Sequence, residues 1–280
     1  MMEVTLNFSR IFMTAGVFIL MCSPASAEQR MKVSSTTSLD NTGLLAAILP
    51  SFQEKTGIRV DVIAVGTGKA LKLGENGDVD AVFVHDPASE EAFMKAGYGK
   101  ERTTIMSNYF IIAGPSDDPA GVRKAKTAQD AFKRIKTSSA IFISRGDNSG
   151  TNLKELEIWK SIPGGQPKNS KWYLESGKGM EEALLMADEK QAYILTDEAT
   201  FLKLKKSGKF VSLFSKRDPA LKNIYSFITL NTAKNPSINS KAAEALLKYL
   251  LSPEAQDLIA KFKDSEGHLL FTALTKTPDK

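Results

Sequence analysis

The order of segments predicts an α/β fold with mainly parallel sheets. Two observations carry that reading. Strand-like and helix-like runs alternate along the chain, and the strand-to-helix junctions are repeatedly Ser/Thr/Gly turns. In such sheets ligands bind beyond the carboxyl ends of strands, where loops meet helix N-termini.

Met31 to Ser35 reads as the first strand, followed by the turn Thr36-Thr37-Ser38. Gly43 to Glu54 has helical spacing, with Pro50 a candidate kink. Arg59 to Val65 alternates as a strand and breaks at Gly66-Thr67-Gly68, before a short helix over Lys69 to Leu73. Val79 to Val84 is a buried-type strand ending at His85-Asp86-Pro87. A helix carries Glu90 to Lys95, and Tyr109 to Ala113 is a strand closed by Gly114-Pro115. Ala128 to Ile135 is helical, Ala140 to Ile143 extended, and Ser144 to Thr151 a polar loop leading to a helix over Asn152 to Lys160. A helix over Gly179 to Glu189 precedes a strand at Ala192 to Leu195, after which Thr196-Asp197 caps a helix through Phe201 and Leu204. Tyr225 to Leu230 is the last strand. Helices over Ser240 to Leu251 and Pro253 to Phe262 follow, with Pro253 at a tolerated first-turn position.

The 280 residues are 42% hydrophobic and 25% charged, which supplies a core and excludes disorder as the main state. The net charge of +5 permits an anionic ligand and is weak support for nucleic acid, so no nucleic-acid partner is expected. Ile11 to Met21 is apolar but shorter than the roughly 20 residues of a membrane span, and Ala25-Ser26-Ala27 follows as an A-x-A signal. Residues 1–27 therefore read as a secretory signal peptide cut after Ala27, although Arg10 in its n-region is offset by Glu3. A lipid anchor on Cys22 and an uncut N-terminal membrane anchor are the alternatives; Met21 before Cys22 is too bulky for a lipobox. Cleavage leaves 253 residues and no cysteine, a length that is stable outside the cytoplasm without disulfides. Thiol catalysis, Cys-based zinc sites and iron–sulfur centres drop out with it.

The turns Ser35 to Ser38, Gly66 to Gly68, Ser144 to Thr151 and Thr196-Asp197 share one composition. One such turn is ordinary, because Ser and Thr before a helix usually cap it. Four point to a shared ligand that wants hydroxyls and bare N–H groups, which helix N-termini offer to anions. The Ser144 to Thr151 loop stands out, since a cap needs neither Arg145 nor two glycines nor three hydroxyl residues. Arg145 supplies a fixed cation for an oxyanion. Sharper motifs fail. After Gly66-Thr67-Gly68-Lys69, Ala70 stands where a phosphate loop needs Ser or Thr, and Leu71 where a dinucleotide fingerprint needs glycine. Gly146-Asp147-Asn148-Ser149-Gly150 is not G-x-S-x-G. His85 and His268 are isolated and give no metal-ligand spacing. His85, at a strand end beside Asp86, reads as a structural residue or one facing a cleft. Lys203 to Lys209 reads as a solvated helix face, and Trp159 and Trp172 as packing. No cofactor and no resident metal ion are expected.

Longer stretches carry a family resemblance: STTS from Ser35 with GLL from Gly43, VIAVGTGKALKLGENGDVDAVFVHDP from Val62, SNYFIIAGPSDDPAG from Ser107, SRGDNSGTNLKELEIWK from Ser144, WYLESGKGM from Trp172 and AYILTD from Ala192. In combination they resemble the periplasmic tungstate-binding proteins of Tup-type ABC transporters, over nearly the whole mature chain. The resemblance implies two lobes, each a mainly parallel sheet flanked by helices, with an oxyanion between them. Residues 28–113 and 225–280 would form one lobe and 114–224 the other, with crossovers near Ile112 to Pro115 and Lys222 to Ile228. It implies oxyanion contacts from Thr36, Thr37, Ser38, Gly66, Thr67, Gly68, Ser144, Arg145, Ser149, Gly150 and Thr151. It also implies a monomer without enzymatic activity that hands tungstate, or molybdate, to permease subunits served by a separate ATP-binding subunit. Ser35 replaces a usual Thr, Asn148 and Asn152 a frequent Asp and His, and Glu198-Ala199 a common Arg-Gly, which bears on the turn from Thr196 to Ala199.

Tungstate and molybdate are fully deprotonated dianions near neutral pH and want donors only. Hydrogen phosphate also needs an acceptor, for which Asp147 and Asp197 are the candidates. Phosphate or sulfate binding therefore stays open, as does, from another class, an exported serine hydrolase using Ser149 and His85.

Overall fold

Buried and exposed side chains alternate in β1 (Gln29–Thr36) from Met31 to Val33, and the strand then runs wholly buried to its end. It pairs in parallel with β2 (Ile58–Val65) and β3 (Ala81–Val84). The connections are helical, as parallel neighbours require: α1 (Thr37–Thr42) and α2 (Leu44–Thr56), then α3 (Thr67–Asn76). Gly43 between α1 and α2 has φ 81°, a left-handed turn that a side chain would resist. The computed structural model describes residues 1–3, 29–204 and 210–274. The signal-peptide stretch from Val4 to Ala27, Cys22 with it, and the end of the lysine run from Lys205 to Lys209 lie outside the described residues.

After α4 (Pro87–Lys95) comes β4 (Gly99–Pro115), seventeen residues long. Through Tyr109 it is antiparallel to β9 (Lys222–Leu230), which is itself antiparallel to β3. From Phe110 onward β4 pairs antiparallel with β7 (Tyr193–Asp197), and from Ile112 also with β8 (Phe210–Phe214). The second half of the sheet continues from β7 to β5 (Phe142–Ser144) and β6 (Tyr173–Glu175), all three parallel. Its helices are α5 (Ala128–Ser138), α6 (Gly150–Lys160), α7 (Met180–Glu189) and α8 (Glu198–Leu204). The chain returns along β9 to α9 (Ser240–Leu250), α10 (Pro253–Lys261) and β10 (Thr272–Ala273), which pairs with β4.

Each half thus holds three parallel strands, as the alternation predicts, while the strands that join the halves are antiparallel, so the sheet is mixed. The cause is geometric: one strand leaves the first half and one returns, and neighbours running opposite ways pair antiparallel. The change of partner along β4 falls between Tyr109 and Phe110, upstream of the stretch near Ile112 to Pro115 expected from the sequence. Among the described residues, no helix is long and apolar enough to cross a membrane.

Successive strand residues face opposite ways, which gives each half two apolar layers. Phe83 joins Phe52, Phe227 and Tyr249 on one side of the first half, and Val82 joins Leu71, Phe93 and Ile228 on the other. In the second half Phe142 packs with Phe132, Trp159 and Tyr173, and Ile143 with Ile111, Met180 and Ile194. Trp159 is fully buried, edge-on to Phe132 at 4.5 Å, and Trp172 leans on it at 6.2 Å, so both are packing residues.

Glu155 of α6 lies inside this second core. Its Oε1 accepts from Trp159 Nε1 at 3.0 Å and from the Tyr173 hydroxyl at 2.7 Å. Burial pushes its pKa from 4.5 up to about 7, although those hydrogen bonds favour the charged form. The folded value exceeds the unfolded one, so stability is fully present below pH 4.5 and is lost as the pH rises to about 7. Glu155→Gln keeps the acceptor and removes the charge. Urea denaturation should find it more stable than wild type by roughly 1–3 kcal/mol at about pH 8, with the difference vanishing near pH 4.

Candidate functional site

The polar turns are helix starts. Thr36 is the N-cap of α1, Gly66 of α3 and Ser149 of α6. Asp197 ends β7, and its Oδ1 accepts from Thr200 N in α8 at 2.8 Å. Helices α3 and α6 each begin two residues before the starts suggested by the sequence, because Gly68 and Gly150 are accepted in the first turn. Thr67, Gly68, Gly150 and Thr151 are therefore first-turn residues whose backbone N–H groups have no partner four residues back.

A chain of contacts gathers these turns. Thr36 Oγ1 accepts from Leu39 N at 3.3 Å and lies 3.2 Å from Ser38 Oγ. Ser38 Oγ is 3.1 Å from Nε2 of His85, the residue after β3. Nδ1 of His85 is 2.9 Å from Asn223 Oδ1 on β9, and Asn223 Nδ2 donates to Asn108 Oδ1 on β4 and to the Tyr225 hydroxyl. From the second half, the Gly150 N–H donates to Thr67 Oγ1 at 3.1 Å. A Cβ on Gly150 would stand 2.7 Å from His85 Cε1, so a bare glycine is what lets α6 meet the imidazole. A Cβ on Gly66 would have the Asp147 carbonyl oxygen 4.0 Å away. The structure thus brings Thr36, Ser38, Gly66, Thr67 and Gly150 together. Thr37 is half-buried beside them at the first position of α1, and Gly68 is exposed, with open space where its Cβ would be.

The loop from Ser144 to Thr151 is braced from within. Arg145 is 2% exposed. Its Nε donates to the Lys178 carbonyl at 2.9 Å, Nη2 to Asp147 at 2.5 Å and Nη1 to Met180 Sδ at 3.4 Å. That leaves a hydrogen on each terminal nitrogen of the guanidinium. Asp147 Oδ1 accepts from Ser149 N at 3.1 Å, so both of its oxygens are used. Asn148 turns the chain at φ 55°, a conformation that asparagine tolerates. Its N–H donates to Asn152 Oδ1, while Asn152 Nδ2 donates to Ser144 Oγ. Gly146 has φ 61°, and a Cβ there would meet Glu175 Cβ at 2.8 Å. Ser149 Oγ accepts from Asn152 N at 3.3 Å, whereas His85 bonds Ser38 and Asn223, so the Ser149–His85 pair of the hydrolase reading is not formed. Thr151 Oγ1 is buried without a partner.

Burial holds the His85 pKa down at about 4; Arg145 adds to that, while the Asn223 bond and Asp86 oppose it. The ring is therefore neutral. Burial raises the Asp197 pKa, against its Thr200 hydrogen bonds and the charge of Arg145, and its Oδ2 has no partner. Glu198 pairs with Arg217 and Ala199 is buried in the core, so that turn is held by the fold. The arrangement offers two helix N-termini, spare guanidinium hydrogens and free hydroxyls, which suits a small anion needing donors. Sequence reasoning missed Asn108, Asn223 and Tyr225; the signal it had was His85-Asp86 at the end of a strand.

Residues 23–254 match the model of a PBP superfamily domain. The chain is 40% identical to the tungstate-binding protein TupA of Peptoclostridium acidaminophilum, over 86% of this chain and 84% of that one. It belongs to the PBP superfamily and, within it, to the TupA family. The tungstate-binding protein TupA of Desulfovibrio alaskensis G20 superposes with a TM-score of 0.77 at 42% identity, covering 88% of this chain and 98% of that one. A structure of the tungstate ABC transporter from Geobacter sulfurreducens gives 0.75 at 47% identity, covering 83% and 98%. These TupA relatives are substrate-binding transport proteins.

The Gly150 contact makes a test. Its φ is ordinary, so Gly150→Ala should melt near the wild-type temperature, but the added methyl meets an imidazole anchored at both nitrogens. With saturating tungstate, the ligand of these relatives, small-angle scattering should show a larger radius of gyration for the variant than for wild type. Equal curves would mean that this contact does not hold the halves together.

Proposed function

We propose that this TupA family member binds tungstate, and molybdate with it, in the periplasm and delivers it to an ABC importer. It acts as a non-enzymatic monomer exported by a signal peptide cut after Ala27. Residues 28–113 with 225–280 form one lobe and 114–224 the other, and the lobes close on the anion. Permease subunits receive it, and a separate ATP-binding subunit drives the transfer. The reading rests above all on Thr151 Oγ1, a buried hydroxyl with no partner in the first turn of α6, beside the buried Arg145 loop. A buried polar group left so is costly, and a ligand oxygen resolves it.

The proposed contacts are Thr36, Thr37, Ser38, Gly66, Thr67, Gly68, Ser144, Arg145, Ser149, Gly150 and Thr151, and they differ in what remains to give. Thr67 Oγ1 accepts from Gly150 and keeps its own hydrogen. Ser144 Oγ accepts from Asn152, and its own hydrogen is drawn toward Glu155, so it has less to give. The Ser149 hydroxyl oxygen caps α6, so its hydrogen is the part left over.

The choice among anions turns on acceptors. Asp147 already accepts from Arg145 and from Ser149. Burial raises the Asp197 pKa, which disfavours its charged acceptor form. A protonated phosphate oxygen needs an uncommitted acceptor, and one unmet buried donor costs about 1–3 kcal/mol. Calorimetry should therefore find tungstate and molybdate bound at least about tenfold more tightly than phosphate near neutral pH. Equal affinities would favour the phosphate reading.

Arg145 should matter most. A hydrogen bond to a charged group contributes about 1.5–3 kcal/mol, so Arg145→Ala should lose about one to two orders of magnitude in tungstate affinity. Arg145→Lys keeps charge but not the fork and should fall between. Wild-type affinity in a folded Arg145→Ala protein would remove Arg145 from the site.

A further inference from the structure

We propose that His85 is a positioning residue that aims the Ser38 hydroxyl, and that it takes up one proton when the oxyanion enters, which couples anion binding to pH. The inference rests on the tungstate reading above.

Ser38 has a single hydroxyl hydrogen, which Thr36 Oγ1 at 3.2 Å can accept, and two further acceptors compete for it. One is His85 Nε2 at 3.1 Å. The other is the anion, if Ser38 is a contact. The direction of the His85 bond follows from its far side. Asn223 Nδ2 donates to Asn108 Oδ1 at 2.8 Å and to the Tyr225 hydroxyl at 3.0 Å. Asn223 Oδ1 is thus the atom facing His85 Nδ1, and Nδ1 carries the ring hydrogen. A neutral ring with its hydrogen on Nδ1 presents a lone pair at Nε2, and Ser38 donates to it. Ser38 then turns only lone pairs toward the cleft, where a dianion meets repulsion in place of a bond.

One proton reverses this. A buffer acid gives up a proton, which ends on His85 Nε2. Nε2–H then donates to Ser38 Oγ, and the Ser38 hydrogen swings to the anion. Nδ1 keeps its bond to Asn223 throughout, so the ring stays where β9 holds it. Gly150 lies against the ring from the second half, which leaves the imidazole no room to move instead.

The charges around the ring decide when this happens. Asp86, next in the chain, favours the imidazolium, and Arg145 from the second half opposes it. Ser38 of α1, Asn223 and Tyr225 of β9, Phe110 of β4 and Gly150 of α6 surround it without charge. Asp197, at the end of β7, interacts with Arg145 and Tyr225. With no anion, burial and Arg145 keep His85 neutral, at about 4. A dianion adds two negative charges among these groups and offsets Arg145, and both effects favour the imidazolium.

Titration calorimetry of the mature chain with sodium tungstate, in buffers of different ionisation enthalpy, tests this. At about pH 6.5 the observed enthalpy should rise with buffer ionisation enthalpy, with a slope approaching one proton taken up. At higher pH the affinity should fall by up to tenfold per pH unit. His85→Gln places a permanent amide donor on Ser38 and should bind tungstate with a slope near zero. In labelled wild-type protein the His85 ring resonances should move from neutral imidazole to imidazolium on adding tungstate, with exposed His268 as the internal reference. Tungstate binding with zero slope, or with His85 still neutral, overturns the inference while leaving the tungstate reading intact. A slope that survives in His85→Gln overturns it as well. Absence of binding heat at every pH overturns the tungstate reading itself, and this inference falls with it.

Discussion

β4 is hydrogen-bonded into both halves of the sheet, and the position of every loop at the site depends on that one strand. Asn108 stands opposite Asn223 of β9, and Phe110, two residues on, opposite Asp197 of β7. The strand therefore changes partner within two residues, at the point where the buried polar network lies. Asn223 Nδ2 donates to Asn108 and to Tyr225 in that network, and its Oδ1 meets His85, while Asn108 Nδ2 is buried without a partner. Hydrogen bonds across the strands add a directional constraint on this register to that of apolar packing. Among the described residues, β4 and β9 run side by side between the halves in opposite senses. A two-stranded ribbon of this kind can bend without breaking its own ladder, which suits hinge closure.

The site solves a charge problem with few charges. Arg145 is the buried cation, and Asp147 neutralises it directly. A buried pair of this sort is weak support for stability, because desolvation offsets the attraction. It does lock the guanidinium plane, together with the Lys178 carbonyl. With the pair close to neutral, the proposed attraction for an anion would be shared between the spare guanidinium hydrogens and aimed neutral donors: first-turn N–H groups of α3 and α6, and the hydroxyls of Thr67 and Thr151. Donors of this kind discriminate by position and protonation state rather than by net charge. The modest +5 of the whole chain fits that picture, since no strongly basic surface is needed.

Much of this was legible in the sequence because it rests on local chemistry. Gly66, Ser149 and Thr36 cap helices as their residue types suggest, and the short strands were visible as apolar runs. The first half of β4 was not legible. Its residues Lys100 to Asn108 show no apolar alternation, because tertiary partners answer their polar groups. Lys100 meets Glu244 at the surface, Arg102 meets the buried Glu90 at 2.6 Å, and Asn108 meets Asn223. β6 and β8 have three and five residues and become strands only by pairing, β6 with β5 and β8 with β4. The His85 network was hidden for the same reason, since its members lie far apart in sequence. The role of Asp147 was open because one spacing, Arg-x-Asp, serves equally for a ligand acceptor or an internal partner. Only the carboxylate's direction separates the two.

Asn148 and Asn152, the departures from the usual Asp and His, are coupled in a way that explains why they occur together. Asn148 must turn through positive φ, which asparagine accepts more readily than most residues. Its N–H then needs an acceptor, and Asn152 Oδ1 supplies it. The same amide spends its other end on Ser144 Oγ, so one side chain ties the beginning of the loop to its crest. Below Asn152 on α6 lies Glu155, itself held by Trp159 and Tyr173 of the aromatic core. The loop from Ser144 to Thr151 is thus tied to α6 by directional bonds. Directional support keeps a loop accurate, because a hydrogen bond fixes both distance and angle. It also explains how two positions can change without loss of shape. The loop requires an acceptor for residue 148 and a donor for Ser144, and a single asparagine amide at 152 provides both.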